Sequence, residues 1–542
     1  MSEPGCPAPH ADSGNRSAML MALVAATAAL AFAVFTQQVW EDYYITFRIS
    51  RNLVEGDGLV YQVGERVHAF TSPLGVLLPA LGLWLTGTDA GALFFFRVLS
   101  AAALACAAVL LAAHGQEHGW RKGTIWFAFI LGVLNPKTVA FAANGMETGL
   151  LVFFAALAWR EIARPGGPRW PALACGYGGL MWTRPDACVL AAAMTAGWWV
   201  FSQPGTTPDA KRAWWRAIGT AILAGSLLYL PWLLWAWSYY GSPVPQTISA
   251  KISLTPAGFS LLHIAVTPLR FIVETTALDG LFAPAYYFES WPRDLVNLFR
   301  LLARLGAFLW VVPQLSRSVR AASLAVLIGG VYLHQINPYP WYYAPWTLLA
   351  SLALARAGET VCNHWTGRVR VGWFVAMSLV VAGSLGLLVA VTCTARIQQR
   401  YIEDQGRRSI GLWLRAHARP GDTVFLESLG YIGYFSQLKM LDVPGLSAPE
   451  VSRLMRAGQR DYASLIATLK PAWVVIRPSE YLEQHLAENA ALHDYDLVRR
   501  WNVRAELDAV KWLPGRAFLE YDVEYLIFQR RQPPPSPPVA PS

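Results

Sequence analysis

The chain has 542 residues; 54% are hydrophobic, 15% are charged, and 44 Lys and Arg face 35 Asp and Glu. So few charges beside 24 Trp, 24 Phe and 21 Tyr exclude an ordinary soluble globular protein and define a polytopic membrane protein. The positive surplus scatters among membrane loops with no basic, aromatic-interleaved tract, so no nucleic acid partner is indicated; the six cysteines show no CxxC or Cys/His spacing for a metal or a disulfide framework.

Residues 1–17 are polar, contain Pro and Gly, and read as a disordered cytoplasmic tail. The apolar run over 18–38 is long enough to cross a bilayer as a helix. It lacks a strongly basic flank and a clear small-residue cleavage site, so it reads as a retained first span and not a signal peptide. A polar outer loop over 40–89 follows. It carries an interfacial amphipathic helix near 45–54, a break at Gly56-Asp57-Gly58, an extended piece at 59–61, and an apolar run over 74–86 that is short for a span.

The distribution of Lys and Arg decides the role of 74–86. With that run on the surface, the clusters Arg121/Lys122, Arg160/Arg164/Arg169, Lys211/Arg212/Arg216, Arg317/Arg320 and Arg356/Arg368/Arg370 fall on one side. The polar turns 135–148, 183–186, 240–300 and 336–343 fall on the other. About eleven spans result: 18–38, 90–113, 124–142, 147–163, 170–183, 186–203, 215–239, 303–316, 320–335, 342–356 and 371–394. The transmembrane domain is then 18–394, with a second outer loop over 240–302. The N-terminus is cytoplasmic, and everything after 395 lies outside the cytoplasmic (inner) membrane, on the periplasmic or extracellular side.

The character of the chain changes after 395. An amphipathic helical stretch over 396–419 leads through Pro420-Gly421-Asp422 into a strand over 423–426. Further strands are expected at 473–477 and 525–528, with helices at 448–457 and 461–469 between them. Residues 395–531 therefore form an extracytoplasmic α/β domain. Residues 532–542 are a Pro-rich, unstructured tail. The fold class is a polytopic α-helical membrane protein with a C-terminal extracytoplasmic α/β domain.

Five polar motifs converge on the outer face. Glu41 and Asp42 sit where the first span meets water, where charge near hydrocarbon is costly. They read equally as a solvated helix start and as a general base for a hydroxyl. Arg48 follows six residues on. Glu147, in Asn144-Gly145-Met146-Glu147-Thr148, opens a helix, where capping competes with a binding role. In Trp182-Thr183-Arg184-Pro185-Asp186, Pro and Asp are ordinary helix-start residues. Arg184 suits a phosphate, which it can hold bidentately; pairing with Asp186 or Glu147 is the alternative. Lys251 follows Gly241-Ser242-Pro243-Val244-Pro245-Gln246-Thr247 as a point charge for phosphate or as plain surface. His334, Trp341 and Tyr342, in the aromatic stretch 334–343, line a sugar or isoprenoid pocket or belong to an interfacial belt. Carboxylates, cations and aromatics on one face suit a phosphorylated lipid donor and a hydroxyl acceptor. No P-loop or Rossmann glycine fingerprint indicates a nucleotide sugar.

The run Glu41-Asp42-Tyr43-Tyr44-Ile45-Thr46-Phe47-Arg48, with Arg51-Asn52-Leu53-Val54-Glu55-Gly56-Asp57-Gly58, Gly64-Glu65-Arg66-Val67 and Phe70-Thr71-Ser72-Pro73-Leu74, resembles the first outer loop of GT-C glycosyltransferases. It is most similar to the branch with the mycobacterial terminal arabinofuranosyltransferases. The motifs at 145–148, 183–186 and 241–247 resemble that branch's later motifs, and 429–436 with Asp442 and Gly445-Leu446 resembles its C-terminal domain. The resemblance implies an inverting transferase that takes a sugar from a polyprenyl phosphate, with Asp42 as catalytic base beside Glu41. It implies donor-binding roles among Arg48, Glu147, Arg184, Asp186, Lys251, His334, Trp341 and Tyr342. The acceptor is a glycan, lipid or protein of the cell envelope, and the sugar is a pentofuranose such as arabinofuranose, with mannose next. No cofactor is expected; polyprenyl phosphate leaves as a stable anion, so a divalent metal is not obligatory.

The alternative from another class is a non-enzymatic flippase or transporter of a lipid-linked sugar. Such proteins often show inverted repeats and broken midplane helices; the sequence shows neither. A receptor that works through 395–531 alone is the third reading.

Overall fold

The structure, a computed structural model, describes residues 10–201, 207–253, 276–284, 290–336, 338–364, 366–486 and 490–531, with isolated positions between 254 and 275. Residues 1–9, Asn337, much of 254–289 and the expected tail 532–542 lie outside the described residues.

Helix α1 (His10–Thr36) leads, so residues 10–17 are helical and not the tail expected there. A short extended link then turns into α2 (Glu41–Glu55). Two carboxylates in its first turn suit the positive end of the helix, and Gly56, at φ 93°, ends it in the left-handed conformation. Helix α3 (Pro73–Thr86) is capped by Ser72, whose hydroxyl accepts from the Gly75 N–H at 2.9 Å. Helices α4 (Asp89–Glu117), α5 (Lys122–Gly132), α6 (Pro136–Ala143), α7 (Thr148–Ile162), α8 (Trp170–Thr183), α9 (Cys188–Phe201), α10 (Pro208–Tyr240) and α11 (Gln246–Ser253) follow. The expected continuous span over 124–142 is a bent pair, α5 and α6, at 56°. Pro136 has no N–H to continue the ladder, and the Asn135 side-chain Oδ1 accepts from the Lys137 N–H at 3.1 Å to start a new helix.

Later helices run over Arg293–Phe308, Arg317–Gln335, Ala344–His364 and Gly367–Ile397. The first of these starts well before the expected span at 303 and ends inside it. Its charged side turns Arg300 and Arg304 onto Asp279, at 3.0 and 3.2 Å. Among the described residues, Gly14–Thr36, Asp89–Glu117, Pro208–Tyr240 and Arg370–His417 are long and apolar enough to cross a membrane, and the bent pair makes a fifth if counted as one span.

The last of these helices does not stop at the surface. It passes through a widened π-helical stretch, Gln398–Arg408, into Ser409–His417 and so into the C-terminal domain. That domain carries a five-stranded sheet: β1 (Thr423–Leu426), β2 (Lys439–Asp442), β3 (Trp473–Ile476), β4 (Tyr495–Asn502) and β5 (Glu524–Arg530), in the order β2-β1-β3-β5-β4. Strand β1 runs parallel to β2 and β3, with Phe425 opposite both Leu441 and Val474. Strand β5 is antiparallel to β3 and β4. Three strands were expected. Strand β2 is only four residues long, and β4, with Asp496, Arg499 and Arg500 along an exposed edge, lacks apolar alternation.

One apolar cluster welds the domain to the outer loop. Ile45, Ile49, Leu59, Tyr61 and Phe70 pack with Trp232 of α10 and with Ile410, Leu426, Ile432, Trp473 and Ile527. Helix Leu429–Ser436 lies against α2 so closely that a Cβ on Gly430 would fall 2.1 Å from the Glu41 carbonyl oxygen. The start of α2 is thus clamped between the membrane helices and the domain.

Candidate active site

Trp40 fixes where α2 begins. Its N–H donates to the Asn144 carbonyl at 2.8 Å, tying it to the turn between α6 and α7. Its ring packs edge-on to Phe141 at 5.0 Å and to Trp341 at 5.8 Å, in a cluster with Met146. Such a cluster holds the next two residues rigidly. Trp341 therefore belongs to the packed floor of the site: it is 4% exposed, and its ring also stacks on Tyr339.

Asp42 is hemmed in yet still reached by solvent. Burial lifts its carboxyl above the usual range, and Lys251 draws it back most strongly; the charges of Glu427, Arg184 and Arg407 also reach it. Arg184, Lys251, Arg407 and Glu427 thus stand near enough for their charges to reach Asp42, and the solvent-reached space beside Asp42 is the crevice of this site.

Arg184 is placed by its neighbour. The residue before a proline is driven out of the helical region, so α8 ends at Thr183 and Arg184 is extended, at φ −156° and ψ 126°. Its buried guanidinium donates to Asp186 through Nε at 3.1 Å and Nη2 at 3.3 Å, and to Glu147 Oε1 through Nη1 at 3.4 Å. It lies over the Tyr342 ring at 4.0 Å, and the Tyr332 hydroxyl donates to Asp186 Oδ2 at 2.8 Å. Both ion pairs weighed as alternatives from sequence are formed. They occupy three of five N–H groups and aim the rest of the fork.

Lys251 rides on α11, which is braced from two sides. The Gln246 N–H donates to the His68 carbonyl at 2.9 Å in the first outer loop, and its side-chain amide donates to Gly445 O at 3.0 Å and Ser452 Oγ at 2.7 Å in the C-terminal domain. The ammonium sits 5.3 Å from the Tyr339 ring.

Two expected site residues are engaged elsewhere. Arg48 donates to the Gly433 carbonyl at 2.9 Å and to the Leu438 carbonyl at 3.2 and 3.1 Å, at the C-terminal end of helix Leu429–Ser436, and lies over the Tyr61 ring. It docks the domain on α2, where a cation meets the negative end of a helix. His334 faces Glu274, with Nε2 3.6 Å from Oε2.

Glu41 belongs to a second cluster. It accepts from the Gly430 N–H at 3.3 Å and pairs with Arg407 Nη1 at 3.3 Å. Arg407 also holds Glu403 at 3.0 Å and Asp522 at 2.7 Å. Asp522 is shared with Arg477 at 2.7 Å, and Arg477 also holds Glu480 at 2.9 Å and Glu427 at 2.8 Å. Burial pushes Glu41 up to about 8 against the pull of Arg407. Asp522 is buried too, but Arg407 and Arg477 together hold it down at about 2. Sequence reasoning passed over Arg407, Glu427, Arg477 and Asp522. One signal was present: Glu427 directly follows the first expected strand, and ligands of parallel α/β sheets gather at strand C-terminal ends.

Residues 396–527 match a family described only as a domain of unknown function, DUF8728. Over 234 residues the chain is 28% identical to the terminal β-(1→2)-arabinofuranosyltransferase of Mycobacterium tuberculosis (strain ATCC 25618 / H37Rv). That match covers 40% of this chain and 35% of the relative's length. ArnT from Cupriavidus metallidurans superposes with a TM-score of 0.54 in its apo state, at 13% identity over 96% of this chain and 100% of that one. Bound to undecaprenyl phosphate it gives 0.51, at 14% identity over 95% and 99%.

The chain has the GT-C fold. The likeness read from the first outer loop is therefore shown, and the sequence relative is a glycosyltransferase. For a GT-C chain the crevice has a clear polarity. Arg184 and Lys251, from the membrane half, put positive charge near Asp42, and the C-terminal domain brings a carboxylate-rich cluster to the adjacent Glu41. Among the described residues no group of three His, Cys, Asp or Glu is arranged to hold a metal ion.

Proposed function

We propose that the chain is a membrane glycosyltransferase that moves a sugar from a polyprenyl-phosphate donor to a hydroxyl of a cell-envelope glycan, lipid or protein, outside the cytoplasmic membrane and with inversion. What supports this reading is that Arg184, over the Tyr342 ring at 4.0 Å, and Lys251, 5.3 Å from the Tyr339 ring, join one aromatic cluster that packs through Trp341 on Trp40, two residues before Asp42. The donor phosphate lies toward Arg184 and Lys251, where a guanidinium fork and a point charge match it. Asp42 takes the proton of the acceptor hydroxyl; that oxygen bonds to the anomeric carbon from the face opposite the phosphate. The bond from the anomeric carbon to the phosphate oxygen breaks, and polyprenyl phosphate leaves as the anion. A carboxylate raised above its usual range is a stronger base, and such help contributes about 10²–10⁴-fold.

The sequence relative, an arabinofuranosyltransferase, favours arabinofuranose as the sugar, and the undecaprenyl phosphate of the ArnT complex supports the donor class; mannose is the second donor we propose. The proposed topology keeps about eleven spans, a cytoplasmic N-terminus and an outer C-terminal domain, on the Lys/Arg distribution.

The test offers vesicles bearing the protein two labelled donors, farnesyl-phosphate-linked arabinofuranose and mannose, with matching octyl glycosides as acceptors. The expected result is label in a glycoside of inverted anomeric configuration. No transfer from either donor above vesicles lacking the protein overturns the proposal.

A further inference from the structure

The mechanism above uses the membrane half of the crevice and leaves one exposed acid of the other half without a task. Glu427 sits at the C-terminal end of β1, in the link to helix Leu429–Ser436, and that helix packs on the start of α2, with Gly430 against Glu41. Its position is fixed by a continuous chain of charged contacts. Glu41 Oε2 lies 3.3 Å from Arg407 Nη1, and Arg407 Nη2 lies 2.7 Å from Asp522 Oδ2. Asp522 Oδ1 lies 2.7 Å from Arg477 Nε, and Arg477 Nη1 lies 2.8 Å from Glu427 Oε2. The adjacent Ser428 hydroxyl accepts from Arg477 Nη2 at 2.7 Å and bonds the Tyr525 hydroxyl at 2.9 Å.

Every other carboxylate of that chain is enclosed, with side-chain exposures from 0% for Glu403 to 19% for Glu41, whereas Glu427 is 46% exposed. A carboxylate that is rigidly held, solvent-reached and tied through this ion-pair chain to Glu41, the neighbour of the proposed base, is pre-organised for a ligand. The local charge says which kind. Two guanidiniums, Arg407 and Arg477, share five carboxylates: Glu41, Glu403, Glu427, Glu480 and Asp522. This side of the crevice repels anions, and its exposed acid can only accept hydrogen bonds when ionised.

We infer that Glu427 is an acceptor-binding residue: its carboxylate receives hydroxyl hydrogen bonds from a neutral, polyhydroxylated acceptor and holds the reacting hydroxyl toward Asp42. The C-terminal domain thereby supplies half of the acceptor site. The inference rests on the proposed transfer reaction and names the acceptor side of the same crevice.

The test uses the full-length protein in vesicles, farnesyl-phosphate-linked arabinofuranose and mannose as donors, and two acceptors for each: the neutral octyl glycoside and its uronate analogue. Glu427→Gln keeps an oxygen for Arg477, and its thermal midpoint is measured beside the kinetics. The KM for the neutral acceptor rises about tenfold, one decade of binding, while kcat falls less than threefold and the donor KM stays within twofold. The uronate is the poorer acceptor of the wild type, and its disadvantage narrows in Glu427→Gln. Glu427→Asp, which keeps the charge, gives an intermediate KM and covers the case in which the first variant is unstable. An unchanged acceptor KM, or donor and acceptor KM rising together, overturns the inference. A wild type that releases no sugar from either donor overturns the functional proposal instead, before any variant is compared.

Discussion

The two walls of the crevice are built differently. On the membrane wall Arg184 is set locally: it bonds Asp186 two positions on, and Pro185 sets its backbone, with Glu147 as its more distant partner. On the domain wall each guanidinium adds distant partners to one local acid: Arg407 meets Glu41 and Asp522 besides Glu403, and Arg477 meets Glu427 and Asp522 besides Glu480. A locally built wall survives the loss of a distant element; a wall of shared guanidiniums does not. The domain wall should be the more fragile in folding and the membrane wall the more sensitive in donor binding.

Removing Arg407 should expose that difference most. Arg407→Ala leaves Glu403 buried without its cation and Asp522 with Arg477 alone, and unpairing a buried charge costs about 3–5 kcal/mol. Thermal unfolding in nanodiscs should show a large drop, with the C-terminal domain opening first to protease. A midpoint equal to the wild type's would mean that the two guanidiniums are not what holds that wall.

Next comes Arg184. Arg184→Lys keeps a charge near Glu147 and Asp186 but loses the planar fork, so the midpoint should move less than for Arg407→Ala while donor KM rises about tenfold or more. Equal losses in folding by the two variants would erase the distinction between the walls.

The third effect is a pH slope. Glu41 rises from its ordinary 4.5 to about 8 on folding, mainly through burial, with Arg407 opposing and Glu427, Glu403 and Asp522 adding. The folded protein then holds a proton that the unfolded chain has lost, so stability falls as pH rises from about 4.5 to about 8 and is flat above. Glu41→Gln should flatten that slope. The midpoint of Asp522, held near 2, acts in the opposite sense and only under strong acid.

How much was legible in the sequence follows the same division. The interfacial helix, the short run at 74–86, the strands at 423–426, 473–477 and 525–528, and the turns carrying Glu147 and Arg184 all rest on local signals: apolar length, proline, and strand-forming runs. The bend at Asn135-Pro136 was just as local, yet the long apolar run over 124–142 masked it. What stayed hidden depends on distant pairing. Arg48 looks like any outer-loop cation until helix Leu429–Ser436 brings the Gly433 and Leu438 carbonyls to it. Strand β4 reads as a charged loop because its edge faces water. Arg407 sits in a polar helical stretch, and nothing in its own neighbourhood announces Asp522, more than a hundred residues on.

The central claim is that Asp42 accepts the proton of the acceptor hydroxyl in a crevice whose cations hold the donor. Single-turnover transfer by Asp42→Asn, with bound donor counted in the same vesicles, tests it most directly. Donor should remain bound while the rate falls at least about 100-fold. A rate within threefold of the wild type's, at equal donor occupancy, would contradict it.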